Sequence, residues 1–530
     1  MTTKNQHIDI PPAELLSVEP WPERGPDEDR MYWMTNDFYN YSIVLNVNIV
    51  LGYYGERRPI SKHELVDFIA RKTRTFRLYL CGGPGEQNPP DCNPEFNDTY
   101  LDDNDVIIFP DYRGTGRSTE IRNERGAVDP MCAKFMRLLR PQDHSLGTQS
   151  QLTGFEETRM TDLLRLFRQD NIVRDLEAIR KCLLDQFMPP NTYQSWSSHG
   201  QSYGGWITLS YLALYPDGLS QCAITGGLAP IVRTPVDVYR RLFQHVTLRN
   251  KMYYNEHPDD VARVKEIVAF LLAQPPRLPV VPPSGGILSA RRFLSLGRIL
   301  GNHSRWTRMH TLIVKMSSDI KIYGRIRPDT LKQYDATDTW GFERRPLYAV
   351  LHEAMYCRVN EASAWAAERA ALELPEYAWA VRDAVSGRSW RQDLLAKCNT
   401  DGAVQIYFAG EMVFQWMFEE YCHLIPLRNV AENLAEYRWE ANMYPESILQ
   451  ARKPIWAVSY RSDMHVDADF SSETANMIDG IQHAVLNTRD PRNSKNCEWQ
   501  YLEHGSIRSD AEEILDHLKR LQSLWYTCSS

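Results

Sequence analysis

Several signatures that would settle a protein's chemistry at once are missing from this chain of 530 residues. No segment reaches the roughly 18 consecutive apolar residues of a membrane-crossing helix. The ten cysteines (81, 92, 132, 182, 222, 357, 398, 422, 497 and 528) stand singly, without a C-x-x-C pair, so no disulfide framework is indicated. Neither H-E-x-x-H nor G-x-x-x-x-G-K-[ST] occurs, which leaves zinc and nucleotide sites without support. His352-Glu353 opens like a zinc helix but lacks a second histidine four residues on. Basic charge is not in excess either: a formal net charge of −8 offers no broad attraction for nucleic acid or anionic lipid, and neither is expected as a partner. Residues 1–20 carry acids and prolines where a secretory signal would need a basic start and an apolar stretch, so a cytoplasmic protein is expected.

What remains is a globular composition, 43% hydrophobic and 24% charged, and one informative hexapeptide, Gly200-Gln201-Ser202-Tyr203-Gly204-Gly205. In a G-x-S-x-G turn a serine sits at a tight strand-to-helix junction, and the strained backbone pushes its hydroxyl out of the sheet. Side chains at Gly200 or Gly204 would collide with the neighbouring strand or helix. The stretch after it, Trp206, Ile207, Leu209, Tyr211, Leu212, Leu214 and Tyr215, is apolar nearly all round, as suits a helix packed beneath a sheet. The plain alternative is a glycine-rich turn with an ordinary serine.

A serine nucleophile needs a base, a carboxylate to orient it and two backbone N–H groups for the oxyanion. Residues 77–80 read as a short strand running into Cys81-Gly82-Gly83-Pro84-Gly85, whose bare backbone suits an oxyanion loop as well as a simple tight turn. The strand 105–109 leads into Asp111-Tyr112-Arg113-Gly114-Thr115-Gly116-Arg117-Ser118, either a brace for the site or a surface turn with a local Asp111–Arg113 ion pair. Residues 455–460 read as a buried strand, and Asp463, Asp467 and Asp469 past its end all qualify as the acid by position. A last short strand is expected at 498–502, with His504 in the loop after it and a helix over 509–521. His199 lies nearer Ser202 in sequence. The α/β-hydrolase order of nucleophile, acid, then histidine admits His504 and excludes His199.

These blocks resemble the proline iminopeptidase (prolyl aminopeptidase) family of serine peptidases, on the α/β-hydrolase fold. The resemblance runs from about Arg77 to Leu521. Besides the three motifs above it includes Thr225-Gly226-Gly227-Leu228, Arg291-Arg292-Phe293, Pro346-Leu347-Tyr348-Ala349-Val350-Leu351-His352-Glu353, Trp365-Ala366-Ala367-Glu368-Arg369, Gly410-Glu411-Met412 and Ser462-Asp463-Met464-His465-Val466-Asp467. It implies Asp463 as the acid, His504 as the base, the amides of Gly83 and Tyr203 as the oxyanion hole, and neither metal nor organic cofactor. Cys81, where relatives usually show histidine or glutamine, and Gln415, where a proline often stands, depart from the pattern.

Between Gly227 and about Leu427 the alternation of strands and helices gives way to long helical patterns and a proline-rich break. The expected organisation is an α/β-hydrolase core with a mostly parallel sheet and an inserted, mainly helical cap. Residues 1–30 form an N-terminal extension, 31–227 the first part of the core, 228–428 the cap and 429–530 the second part of the core. An aminopeptidase recognises a free amine with a carboxylate in a partly closed pocket. The resemblance points to cap glutamates in that role: Glu411 first, then Glu368, then Glu353. Tyr356, Trp365, Phe414 and Trp416 either line a proline-sized pocket or belong to the core. The expected reaction is release of an N-terminal residue, preferably proline, from a peptide or small amide. The alternative is an esterase, amidase or acyltransferase of the same fold acting on a small metabolite.

Overall fold

The computed structural model describes residues 13–20, 28–36, 42–51, 75–88, 105–118, 120–122, 134–135, 138, 152–187, 195–337, 341–342, 345–400, 404–450, 453–486, 503–504 and 511–529. Among the described residues, ten strands form one sheet: β1 (Glu14–Pro20), β2 (Glu28–Asn36), β3 (Ser42–Leu51), β4 (Thr75–Leu80), β5 (Asp105–Pro110), β6 (Glu120–Arg122), β7 (Trp196–Gln201), β8 (Leu219–Thr225), β9 (Ile455–Tyr460) and β10 (Ile481–Leu486). Their order is β1-β2-β3-β5-β4-β7-β8-β9-β10, with β6 paired to β3. The first three strands and β6 pair antiparallel, while β5, β4, β7, β8, β9 and β10 run parallel to one another. β1 falls inside the segment read from sequence as an extension. The expected strand at 498–502 lies outside the described residues.

The strand order fixes where a ligand can sit. From β4 the chain moves outward to β5 on one side, whereas β7 leads to β8 on the other, so the C-terminal ends of β4 and β7 flank a topological switch point, where open parallel sheets leave a crevice. Leu80 of β4 pairs with Gly200 of β7, which sets Cys81 to Gly85 beside Ser202. β7 is buried along its whole length, and β4 is buried at Phe76 and from Leu78 to Leu80 with Arg77 half-buried.

Helix α1 (Gly154–Arg165) starts at Thr153, whose side chain and that of Glu156 cap each other's amides. Helix α2 (Gln169–Phe187) follows, and α3 (Tyr203–Leu214) begins at the serine turn with Trp206, Ile207, Leu209, Tyr211 and Leu212 all buried. Among the described residues, no strand lies between β8 and β9. This stretch carries α4 (Pro235–Glu256), α5 (Asp260–Ala273), α6 (Trp306–Tyr323), α7 (Pro346–Leu351), α8 (Ala366–Ala371) and α9 (Arg428–Glu436), with further helical turns. Its apolar side chains join those of the sheet in one continuous buried cluster. Helices α10 (Ala468–Met477) and α11 (Ala511–Ser529) complete the chain. No helix among the described residues is long and apolar enough to cross a membrane.

The turn after β5 is a buried brace rather than a surface turn. Arg113 makes a two-pronged pair with Asp175 of α2, at 2.7 and 2.8 Å, and donates to the Leu166 carbonyl. Asp111 accepts from the Arg117 amide. Of the two readings left open by the sequence, the buried pairing of Arg113 with a partner on a neighbouring helix, which satisfies the guanidinium in plane, favours the brace. Tyr112 donates its hydroxyl to the Cys81 carbonyl at 3.0 Å, tying this turn to the glycine loop after β4.

Candidate active site

Ser202 has φ 54° and ψ −124°, a strained backbone for a residue with a side chain. Such strain costs of order 1–3 kcal/mol and is held by surrounding packing. Here the packing is tight: a Cβ at Gly204 would stand 2.0 Å from the Leu80 carbonyl oxygen, so strand β4 and helix α3 approach as closely as backbone permits. Two backbone bonds hold the turn, Ser202 N–H to the Thr225 carbonyl and Gly205 N–H to the Ser202 carbonyl.

Three residues far apart in sequence meet at this turn. His504 Nε2 lies 2.8 Å from Ser202 Oγ, and His504 Nδ1 lies 2.8 Å from Asp463 Oδ2. Asp463, buried past the end of β9, also accepts the amides of His465 and Val466 through Oδ1. Burial works against its charge, but His504 and His465 hold the carboxyl below its ordinary value. The other two aspartates face elsewhere. Asp467 caps α10 and binds Arg241 and His245 of α4, and Asp469 pairs with Arg241 and Arg461. His199 is in β7 beside Thr225, and burial pushes its imidazole down to about 3.

The glycine loop lies directly against the serine. A Cβ at Gly82 would be 2.6 Å from Ser202 Cβ, and Gly83 follows with φ +73°. Tyr203 opens α3, and first-turn amides have no acceptor within their own helix. Gly83 and Tyr203 are thus both beside Ser202.

The three glutamates expected to bind the amine separate clearly. Glu353 accepts the amides of Ala366 and Ala367 at 3.1 and 2.9 Å and so caps α8, whose N-cap residue Trp365 has φ 54° and makes no side-chain cap of its own. Burial raises the Glu353 carboxyl above its ordinary value. Glu368 is buried and held by Arg382 through two prongs and its amide. Glu411 alone of the three reaches the serine's surroundings. It accepts Tyr348 Oη at 2.8 Å, and Tyr348 packs on the glycine loop, its amide 2.9 Å from where a Gly85 Cβ would be. Its other oxygen faces His352 Nε2 at 3.5 Å, and His465 Nδ1 approaches at 2.8 Å while its ring lies 4.7 Å from that of His504. Burial opposes the Glu411 charge, yet His465 and His352 hold its carboxyl well below the usual range.

Of the four aromatics, Trp365 and Trp416 spend their indole N–H groups on Glu432 and the Ala380 carbonyl, and Phe414 stacks on Trp416. These three are core. Tyr356 packs edge-on against Trp206 and Tyr239. The groove of about 1010 Å³ between residues 231–236 and 358–364 contains none of the triad residues. His465 and Tyr348 were not singled out from sequence, although both lie in quoted blocks.

The sheet order, the strained serine turn and the glycine loop packed against it define an α/β hydrolase. No protein-family model matches the chain. It is 32% identical over 446 residues to the proline iminopeptidase of Aeromonas sobria, covering 84% of this chain and 86% of that protein. Proline iminopeptidase aneH of Aspergillus aculeatus is 30% identical over 448 residues, covering 84% and 85%. The chain belongs to the proline iminopeptidase family. Among solved structures, proline iminopeptidase of Mycobacterium smegmatis aligns at 11% identity with a TM-score of 0.31, over 92% of this chain and 97% of that one.

Proposed function

We propose that this chain is a serine aminopeptidase that removes an N-terminal residue, preferably proline, from peptides or small amides. Ser202 is the nucleophile. His504, oriented by Asp463, takes the serine proton as Oγ attacks the carbonyl carbon, and returns it to the leaving amine. The amides of Gly83 and Tyr203 hold the oxyanion. Water then adds to the acyl-enzyme with His504 again as base, releasing the acid and restoring Ser202. The helical cap, residues 228–428, contributes Glu411 as the partner of the substrate ammonium.

The reading rests on one observation above all: a histidine hydrogen-bonded at 2.8 Å to the strained serine on one side and to a buried aspartate on the other. The amine preference is supported by an ionised carboxyl, Glu411, two contacts from that histidine. A fluorophosphonate probe should label the wild type and not Ser202→Ala. Proline, alanine and leucine amides of a chromogenic amine should be cleaved, and their N-acetylated forms spared. Preference for blocked amides or simple esters would replace the aminopeptidase with the esterase or amidase reading.

A further inference from the structure

Arg249 lies on α4, well outside every motif quoted above, and is 1% exposed. Its guanidinium makes contacts in two directions. Nη1 pairs with Glu503 Oε1 at 2.7 Å. Nε and Nη2 donate to the Ser462 carbonyl at 3.3 and 3.0 Å, and Nη2 also reaches Ser462 Oγ at 3.2 Å. Ser462 and Glu503 are the residues immediately before Asp463 and His504. One planar cation therefore links the backbone neighbours of the acid and the base. Glu503 is fixed a second time, because its Oε2 accepts the His303 amide at 2.8 Å. Both anchoring groups, Arg249 and the His303 amide, belong to the helical segment between β8 and β9.

We propose that Arg249 is a positioning residue that sets the distance between Asp463 and His504, so that the helical segment, and not the sheet alone, aligns the base on Ser202. This rests on Ser202, Asp463 and His504 being the catalytic triad. A loop end carrying a single histidine has freedom to shift, and a misplacement of about 1 Å costs roughly 100-fold in rate. A guanidinium suits the task because its rigid fork serves two partners at fixed spacing, which the single ammonium of lysine does not reproduce.

The test compares Arg249→Met, Arg249→Lys, Glu503→Gln and the double variant Arg249→Met/Glu503→Met with wild type. The readouts are the rate of fluorophosphonate labelling, kcat and KM on a small ester, and the melting temperature. Arg249→Met is expected to lose about 100-fold in labelling rate and kcat with little change in KM, and Arg249→Lys to regain part of it. The double variant, which buries no unpaired charge, should recover melting temperature without recovering rate. Arg291→Met is the control. It breaks a buried pair with Glu420 at 3.1 Å that touches neither loop, and should lower melting temperature alone. A folded Arg249→Met protein labelled at the wild-type rate overturns the proposal, as does a double variant whose rate returns with its stability. Equal labelling of Ser202→Ala and wild type would remove the triad and this role together, an outcome distinct from normal labelling of Arg249→Met.

Discussion

Replacing Glu411 with glutamine isolates charge from shape. Glutamine keeps the volume and leaves an oxygen for the Tyr348 hydroxyl, which donates to Glu411 at 2.8 Å. What disappears is a negative charge held in place by His465 and His352 and only 9% exposed. A substrate ammonium about 4 Å away gains about 4 kcal/mol from such a charge at an effective dielectric near 20. The amide dipole returns part of that, leaving a loss of about 2–4 kcal/mol. At about 1.4 kcal/mol per factor of ten, kcat/KM on proline p-nitroanilide should fall between about 30- and 1000-fold. The same variant should hydrolyse p-nitrophenyl acetate, which has no amine, at close to the wild-type rate. Equal losses on the two substrates would mean that Glu411 supports the site's architecture or the His465–His504 contact, and no loss on either would remove it from amine recognition.

Other consequences are equally open to measurement. Asp467 has its carboxyl pulled from the ordinary 3.8 to about 2: burial opposes this, and His245, the Phe470 amide and Arg241 outweigh it. Because the folded value lies below the unfolded one, the stabilisation, about 2 kcal/mol, is complete above about pH 4 and fades as pH falls toward 2. Thermal melts of Asp467→Asn should therefore lie below wild type at pH 7, with the gap narrowing below about pH 4 and closing toward about pH 2; a constant gap would rule out a charge origin. Gly204→Ala sets a methyl 2.0 Å from the Leu80 oxygen and should cost about 3 kcal/mol or more, read as lost soluble yield and a depressed melting temperature. A tolerated alanine would contradict the tight strand-to-helix contact. Activity should fall on the acid side as His504 takes up a proton, while Asp463, held below its ordinary value, stays ionised. A rate flat between about pH 5 and 8 would exclude His504 as the base.

Local pattern carried much of the architecture. The apolar run 455–460 is β9, and the strands expected at 77–80 and 105–109 are β4 and β5 with ends moved by one or two residues. The serine turn was legible because steric demands on its glycines are local; chain order brought in His504, and the family resemblance, not position, chose Asp463 over Asp467 and Asp469. Partners across long separations were not legible. Glu353 and Glu368 sit in apolar segments much as Glu411 does, but a backbone amide or an arginine 14 residues away leaves no trace in local composition. For Arg113 the sequence left open a brace or a local pair with Asp111, and gave no sign of its partner Asp175, 62 residues on. Arg249 carries no motif at all, since its partners lie 213 and 254 residues away.

The long helical segment between β8 and β9 also sets a schedule. Ser202 and its hydrogen-bonding partner His504 are separated by 302 residues, and β9 cannot pair with β8 until everything between has been synthesised. At about 5–20 residues per second, the ribosome makes the serine roughly 15–60 s before the histidine. Through that interval Ser202 lacks the His504 contact on which the proposed reaction depends, so the proposed site cannot be complete before His504 has been made.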